Sequence, residues 1–521
     1  MTRGVSGLYA VRLARPRRAP DWSDRCRLHP TVGSALRSAI LCGAVLISNS
    51  TFAQNSISLP VDMELGTPRV EVDLTNARIE ITIDPERPQR FSARLANPNT
   101  TSEVFLEGSL EPNAVTRLRR AENGDVSLPI VVEIGLTPDQ VLVVRGSRVG
   151  LTITQTVSAI EPAVSGTTPQ KNPPGGTNPP EAEETPPRTT VDVSDSVFSA
   201  SNLDELVLTA NGGSSQLDSI GGTLALDLRE TEVLARRLRG PTSVSAINSD
   251  VTIDGCRGLI SVDMEGGLLA VTEGASGVGG TFNDSTVEIM STTGTVVVNG
   301  SNTLTRITDS ADLSAQLTGT DLRITLDEVS GPIRADMTGG SLTAESIANR
   351  FDLKLAAQAE ADLQDLEGDV AVLMRDGARA TIRRVALHTR VRLEESELEV
   401  SDLRSFELSS RGGFIFGDEI HKLSRVESDG SDMDLSLSGV NQKHSIALSG
   451  SGSAVVRLPT PCRVVAKMPN TTAGNQLKVS GCLLDFDGTR KRGLRPGIDG
   501  QAPILLNATL DDIATLKVEG L

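Results

Sequence analysis

Beyond residue 53 the chain holds three histidines, His388, His421 and His444, the natural candidates for proton transfer or metal ligation. They fall in different segments of a repeat and at unlike places within it, so no shared metal site is expected from them. Asp429-Gly-Ser-Asp432-Met-Asp434 sets carboxylates at spacings that calcium accepts. It lacks both the rest of an EF-hand loop and the nonapeptide rhythm of calcium-binding β-rolls, and a solvated turn before a strand accounts for it as well. No Gly-x-Ser-x-Gly elbow, phosphate loop, His-Glu-x-x-His or Cys-x-x-Cys pair occurs. Hence no catalytic, cofactor-binding or metal residue and no cofactor is expected. Cys462 and Cys482 are candidates for a disulfide that closes a loop after the last regular repeat, two buried thiols being the alternative. Cys256 reads as a small packed residue near a corner. Arg490-Lys491-Arg492, with Arg495, forms a basic loop on an acidic protein. It is a candidate docking loop for an acidic partner or a phosphate-bearing envelope polymer, although a solvated loop is the commoner meaning of such a cluster.

The elements that must position these residues are short and repeated. Gly222-Thr-Leu-Ala-Leu, Gly240-Pro-Thr-Ser-Val, Gly258-Leu-Ile-Ser-Val, Gly294-Thr-Val-Val-Val, Gly331-Pro-Ile-Arg-Ala and Gly368-Asp-Val-Ala-Val each open a short alternating strand. Their separations are 18, 18, 36, 37 and 37 residues, one or two multiples of a single period. Within a period the apolar residues alternate over two segments parted by a polar turn. Ile260, Val262 and Met264 lead past Gly266-Gly267 to Leu269 and Val271, and Ile333, Ala335 and Met337 lead past Gly339-Gly340 to Leu342 and Ala344. Alternation with period two puts these side chains on one face of a strand and the intervening Asp, Arg, Ser and Thr on the other. Two such strands cannot bury their apolar face alone. Stacking the next coil at about 4.8 Å satisfies the backbone and closes a narrow core. The expected fold is all-β: a single-stranded parallel β-solenoid of roughly 18-residue coils, right-handed by the rule for parallel crossovers. Equivalent outward positions in successive coils then form a column, Asp227, Ser245, Asp263, Thr281 and Asn299. Such a row would either read a ligand or simply keep like charges from stacking, and the second meaning is preferred.

The N-terminus reads as a secretory signal. Basic residues up to Arg37 precede the apolar run from Ala39 to Ile47, and Ser50-Thr-Phe-Ala53 offers a small-residue cleavage site before Gln54. The run is short of the ~20 residues a membrane span needs, so no transmembrane anchor is expected after signal removal. Export to the periplasm, the cell surface or the medium follows. Residues 1–53 hold eight of the 50 basic residues and two of the 67 acidic ones, leaving 42 and 65 and a net charge of −23. Nucleic acid and anionic lipid are therefore poor partners. Trp22 and Tyr9, the only residues of their kinds, lie in the same segment. The remainder thus lacks the usual platforms for stacking a carbohydrate.

Five segments are expected. After the signal (1–53), residues 54–157 carry longer, less regular strands, either a small sandwich or irregular capping coils. Residues 158–190 are Pro-rich and form a linker or loop. The solenoid spans 191–460, and 461–521 forms a C-terminal cap with the basic loop. The repeated short strands, followed by Leu448-Ser-Gly-Ser-Gly-Ser-Ala-Val-Val-Arg-Leu-Pro459, resemble the adhesin-type family of bacterial exported proteins. That family has short β-solenoid coils ending in a Gly/Ser-rich strand and a Leu-Pro step. The resemblance spans residues 190–470 and implies surface attachment, with no defined ligand or catalytic residue to carry over. The function expected is that of an exported, non-enzymatic scaffold, adhesin-like or part of the cell envelope, whose partner is an unidentified protein or envelope component. A polysaccharide lyase or hydrolase, and a filament growing end to end, are the alternatives.

Overall fold

The computed structural model describes residues 55–58, 61–64, 68–86, 90–96, 105–108, 116–120, 130–156, 189–274, 276–439, 442–468, 476–486, 504–511 and 513–521. Residues 1–53, read above as a secretory signal, nearly all of the Pro-rich stretch and the basic residues Arg490 to Arg495 lie outside them. The described residues are strands, turns and bends with no helix, built as a parallel β-solenoid of about 16 turns spaced about 18 residues apart. Thr242 pairs with Leu224 on one side and Ile260 on the other, and the same step carries the ladder through Leu259↔Gly277 and Thr286↔Leu304.

Each coil turns at two residues in the left-handed region. The first bend runs through Asp195, Gly212, Glu230, Asn248, Gly266, Asp284 and Asn302 and continues through Asp321, Gly339, Gln358, Gly377, Glu395, Gly412 and Gly430, all with positive φ. The second runs through Asn202, Ser219, Arg237, Gly255, Glu273, Ser291 and Asp309 to Glu328, Ser346, Asp365, Arg384, Asp402 and Glu419. Gly, Asn and Asp adopt this conformation most cheaply, which explains their frequency at both columns. Asn302 Nδ2 donates to Asp284 Oδ1 at 2.7 Å, so the bend side chains also bond from one rung to the next.

Between the bends lie two strands and a short third side. Leu224, Leu226 and Leu228 line the first strand, Val233 and Ala235 the second, and Leu238 the third, all buried. Leu238 stacks on Cys256, and further along Ile347, Leu366, Val385, Leu403 and Ile420 form the same column. Three columns of Leu, Ile, Val and Ala therefore close a core one side chain deep. At the third side successive backbones approach closely. A Cβ on Gly240 would stand 2.0 Å from the Gly222 carbonyl oxygen, and one on Gly258 would stand 2.0 Å from that of Gly240. The landmark glycines of the sequence are residues for which the stack leaves no room.

Rung order departs from chain order at both ends. Rung 69–83 pairs with rung 141–155 (Val70↔Leu142, Arg78↔Gly150), which pairs in turn with the strand Thr189–Ser201. On its outer side rung 69–83 carries the strands Thr116–Arg120 and Ile130–Leu136 in parallel, and antiparallel strands lie beyond these. The strands between residues 55 and 155 thus continue the sheet of the solenoid, within a single compact unit from Ala53 to Leu521. At the far end the chain leaves rung 443–458, passes Pro459-Thr460-Pro461 and builds rung 462–480. It then returns, so that residues 504–520 lie between those two rungs. Lys443 pairs with Leu505 and Cys462 with Ile504, while Ser453 and Gln476 both pair with Thr515.

Gly240→Ala should force neighbouring rungs apart and lower stability by about 2 kcal/mol or more, read as a fall in the urea midpoint. An unchanged midpoint would contradict the close approach at the third side.

Candidate functional site

The solenoid presents its chemistry in outward columns. The column from Asp227 to Asn299 is in register in the structure: Asp227↔Ser245, Ser245↔Asp263, Asp263↔Thr281 and Thr281↔Asn299. It extends backwards through Thr209, Asp192, Arg145 and Asp73, and forwards through Thr318, Asp336, Lys354, Leu373 and Arg392. No two like charges are adjacent along it, and Lys354 Nζ lies 3.1 Å from Asp336 Oδ2. Opposite or neutral neighbours at one-rung spacing stabilise a sheet, whereas stacked like charges weaken it. This column is accounted for by the stability of the stack.

Two places break the pattern. On the second-strand face, Phe414 and Phe416 project outward from one rung, 61% and 49% exposed. By contrast, Phe91, Phe198, Phe282, Phe351 and Phe406 are fully buried. Phe414 stands between Glu397 and Asp432 in its column, and Phe416 between Glu399 and Asp434. The acids are not open charges. Arg379 Nε lies 2.9 Å from Glu397 Oε2, Arg457 pairs with Asp434, and Asp432 Oδ1 accepts from the Ser453 backbone amide at 3.1 Å. The result is a shallow depression of about 700 Å³ lined by the two rings and by these acids, of which Glu397 and Asp434 are ion-paired and Asp432 is hydrogen-bonded. Exposed apolar rings ringed by paired polar groups are the surface chemistry of a protein contact.

The second place is a groove of about 1090 Å³ along the second bend, lined among others by Arg384, His388, Asp402, Ser405, His421 and Ser438. The sequence reading kept His388 and His421 apart; the structure brings them to one groove. Shortening of the repeat to 17-residue steps (His388↔Ser405, Leu403↔Ile420) brings them to the same groove, and a fixed 18-residue comparison hides this. His388 Nδ1 lies 3.0 Å from Ser405 Oγ and its Nε2 3.3 Å from Glu407 Oε2, which Arg390 also contacts at 3.0 Å. One bend further, His421 Nδ1 lies 3.2 Å from Ser438 Oγ and its Nε2 3.6 Å from Asp402 Oδ1. Partial burial would raise the Glu407 carboxyl, but Arg390 and His388 outweigh it and hold it below the usual range. A hydroxyl, an imidazole and an acid in sequence can move a proton. However, Ser405 also bonds Ser424 Oγ at 2.8 Å, and its strand runs inside the ladder. The neighbouring amides are thereby committed to adjacent rungs.

The third histidine is of another kind. His444 is fully buried, its Nδ1 accepting from the Leu423 amide at 3.0 Å. Its Nε2 faces the Gly439 carbonyl without closing a well-formed hydrogen bond. Burial lowers its pKa from 6.5 to about 4, with the Lys422 charge acting in the same direction.

Cys462 and Cys482 are joined by a disulfide with a Cα–Cα distance of 4.8 Å, while Cys256 is a buried free thiol whose pKa burial pushes up. Ala53, Gln54, Arg490, Lys491, Arg492 and Arg495 lie outside the described residues. Among the described residues no group of three His, Cys, Asp or Glu side chains could hold a metal ion, and no helix is long and apolar enough to cross a membrane. No known protein family, curated protein or solved structure matches this chain. The phenylalanine pair escaped the sequence reading, although a signal for it exists. In Gly413-Phe-Ile-Phe-Gly417 the core position, in register with Leu398 and Met433, falls on Ile415, so both rings must face outward.

Two pH effects follow. The depressed His444 pKa favours folding above 6.5, and this stability is lost as pH falls from 6.5 to about 4, a loss of about 3 kcal/mol. His444→Gln should flatten the denaturation midpoint across that interval, and a wild-type midpoint already flat there would refute the assignment. At the second bend Glu328 stacks on Asp309, and that contact, with the Asp309 and Asp327 charges, raises its pKa. A raised carboxyl pKa penalises the fold once the group ionises. Glu328→Gln should therefore raise Tm at neutral pH, with the gain vanishing as pH falls through the carboxylate range.

Proposed function

We propose that the protein is an exported, non-enzymatic scaffold, adhesin-like or part of the cell envelope, that meets a protein or envelope partner through its second-strand face. The observation carrying this reading is the exposed pair Phe414 and Phe416, two rings on one rung set among carboxylates that are ion-paired or hydrogen-bonded. Rings held rigidly on a strand lose little entropy on binding, which is how a few residues supply most of an interface's affinity. Residues 1–53, read as a secretory signal, and the Cys462–Cys482 disulfide support export to an oxidising compartment. The sequence resemblance to adhesin-type exported proteins supports surface attachment.

A second reading, hydrolysis, draws on one observation, the Ser405–His388–Glu407 arrangement in the bend groove. End-to-end filament growth draws less, because the antiparallel strands beyond rung 69–83 differ from the parallel coils they follow.

The test is recovery of envelope components on the full chain, identified by mass spectrometry, against Phe414→Ser/Phe416→Ser. The double variant should lose them while keeping the wild-type melting temperature. Recovery equal to wild type would remove the basis of the reading. In parallel, turnover of glycans or esters that Ser405→Ala abolishes would favour hydrolysis instead.

A further inference from the structure

The rung made by residues 504–520 fills a slot that the chain has already built on both sides. Its upper wall is rung 443–458, and its lower wall is rung 462–480. Pro459-Thr460-Pro461 alone bridges the two walls in sequence. Within the slot Ile504, Leu506, Ala508 and Leu510, with Leu516 and Val518, are buried at 0–2% exposure and supply a full layer of core. The rung is also stitched in by backbone: the Ile504 amide donates to the Pro461 carbonyl at 3.1 Å, that of Thr515 to Gly452 at 3.1 Å and that of Leu521 to Leu458 at 2.8 Å. Thr460 closes the end, its Oγ1 donating to the Leu521 carbonyl at 2.7 Å.

Nothing in these contacts depends on the rung belonging to the same chain. The lower wall is cross-linked independently of the rung, since the Cys462–Cys482 disulfide ties its first strand to the turn after its second. The strand before the rung ends at Phe486 and the rung begins at Ile504. The 17 residues between them, 487–503, reach as far as ~55 Å when extended. Returning along one seven-residue strand needs only about 25 Å. Four glycines and two prolines among those residues make that segment a poor core former, and it has ample length to cross to a neighbouring molecule.

We propose that the slot accepts the C-terminal rung of a second copy of this chain, producing a reciprocally exchanged, closed dimer. The partner is specified by complementarity: the sequence that fits the slot in one molecule is present, unchanged, in every other. Two such exchanges satisfy both molecules and leave no open slot, which closes the assembly at two. This inference stands apart from the proposed contact at Phe414 and Phe416.

Ser445 and Asn507 are register partners across the upper wall, and both are exposed. Their Cα atoms, one rung apart at about 5 Å, suit a disulfide. Full-length Ser445→Cys and full-length Asn507→Cys, carrying different tags, would be unfolded together and refolded together under oxidising conditions. A disulfide-linked dimer bearing both tags is expected. It should be absent when Asn507→Cys is paired instead with Thr281→Cys, which lies outside the slot. The double variant Ser445→Cys/Asn507→Cys locks its own tail in place when refolded alone at low concentration, and should then be monomeric on sedimentation. The unmodified chain refolded at high concentration should contain dimer. If the two single variants stay monomeric under co-refolding while the double variant forms its internal disulfide, the slot is accessible only to its own tail and the proposal fails. If the double variant does not form that disulfide either, the register on which the slot rests is wrong, and the proposal fails with it.

Discussion

The interaction on which this structure depends is the stacking of one backbone turn on the next at two left-handed bends and one crowded third side. Each rung hydrogen-bonds only to its neighbours, so the period must match from coil to coil or the ladder breaks. The bend columns set that period. A residue held at positive φ reverses the chain in one step, and the next such residue must arrive one coil later at the same corner. Where the spacing changes, as between Thr286↔Leu304 and Gly294↔Leu313, both strands of the following rung take the longer step together, as Leu304↔Arg323 shows. The ladder absorbs the extra residue between bends.

Much of this was readable from residue order. Alternation of Leu, Ile, Val and Met with polar residues specifies two short strands, and the landmark glycines give the period, because their lack of a Cβ is what the third side requires. The column from Asp227 to Asn299 follows from that period alone. What escaped the reading depends on drift and topology. His388 and His421 line one groove because two successive steps shorten to 17 residues, a cumulative effect that no single coil reveals. The insertion of residues 504–520 is equally silent in the pattern. Ile504, Leu506, Ala508 and Leu510 alternate like any outer strand, and alternation says which face is buried without saying which rung is adjacent.

The outer surface shows the same economy. On a solenoid every outward side chain has two neighbours about 4.8 Å away in its own column, so surface composition is constrained by the fold itself. Ion pairs such as Lys354–Asp336 and Arg379–Glu397 are half-exposed, and each adds little stability. Along columns such as that of Asp336 and Lys354 they separate like charges, although acids do stack at the second bend, as Glu328 does on Asp309. Against this background Phe414 and Phe416 stand out as two exposed rings on one rung.

The inserted terminal rung has a consequence for how the molecule comes into being. Coils from residue 189 onward can be laid down one after another as the polypeptide emerges, each templated by the last. That processive growth halts at Leu458. The layer belonging next in space, residues 504–520, comes later in the sequence than the wall beyond it, residues 462–480. Closure of the solenoid here is thereby a long-range pairing step, unlike the neighbour-by-neighbour growth that precedes it.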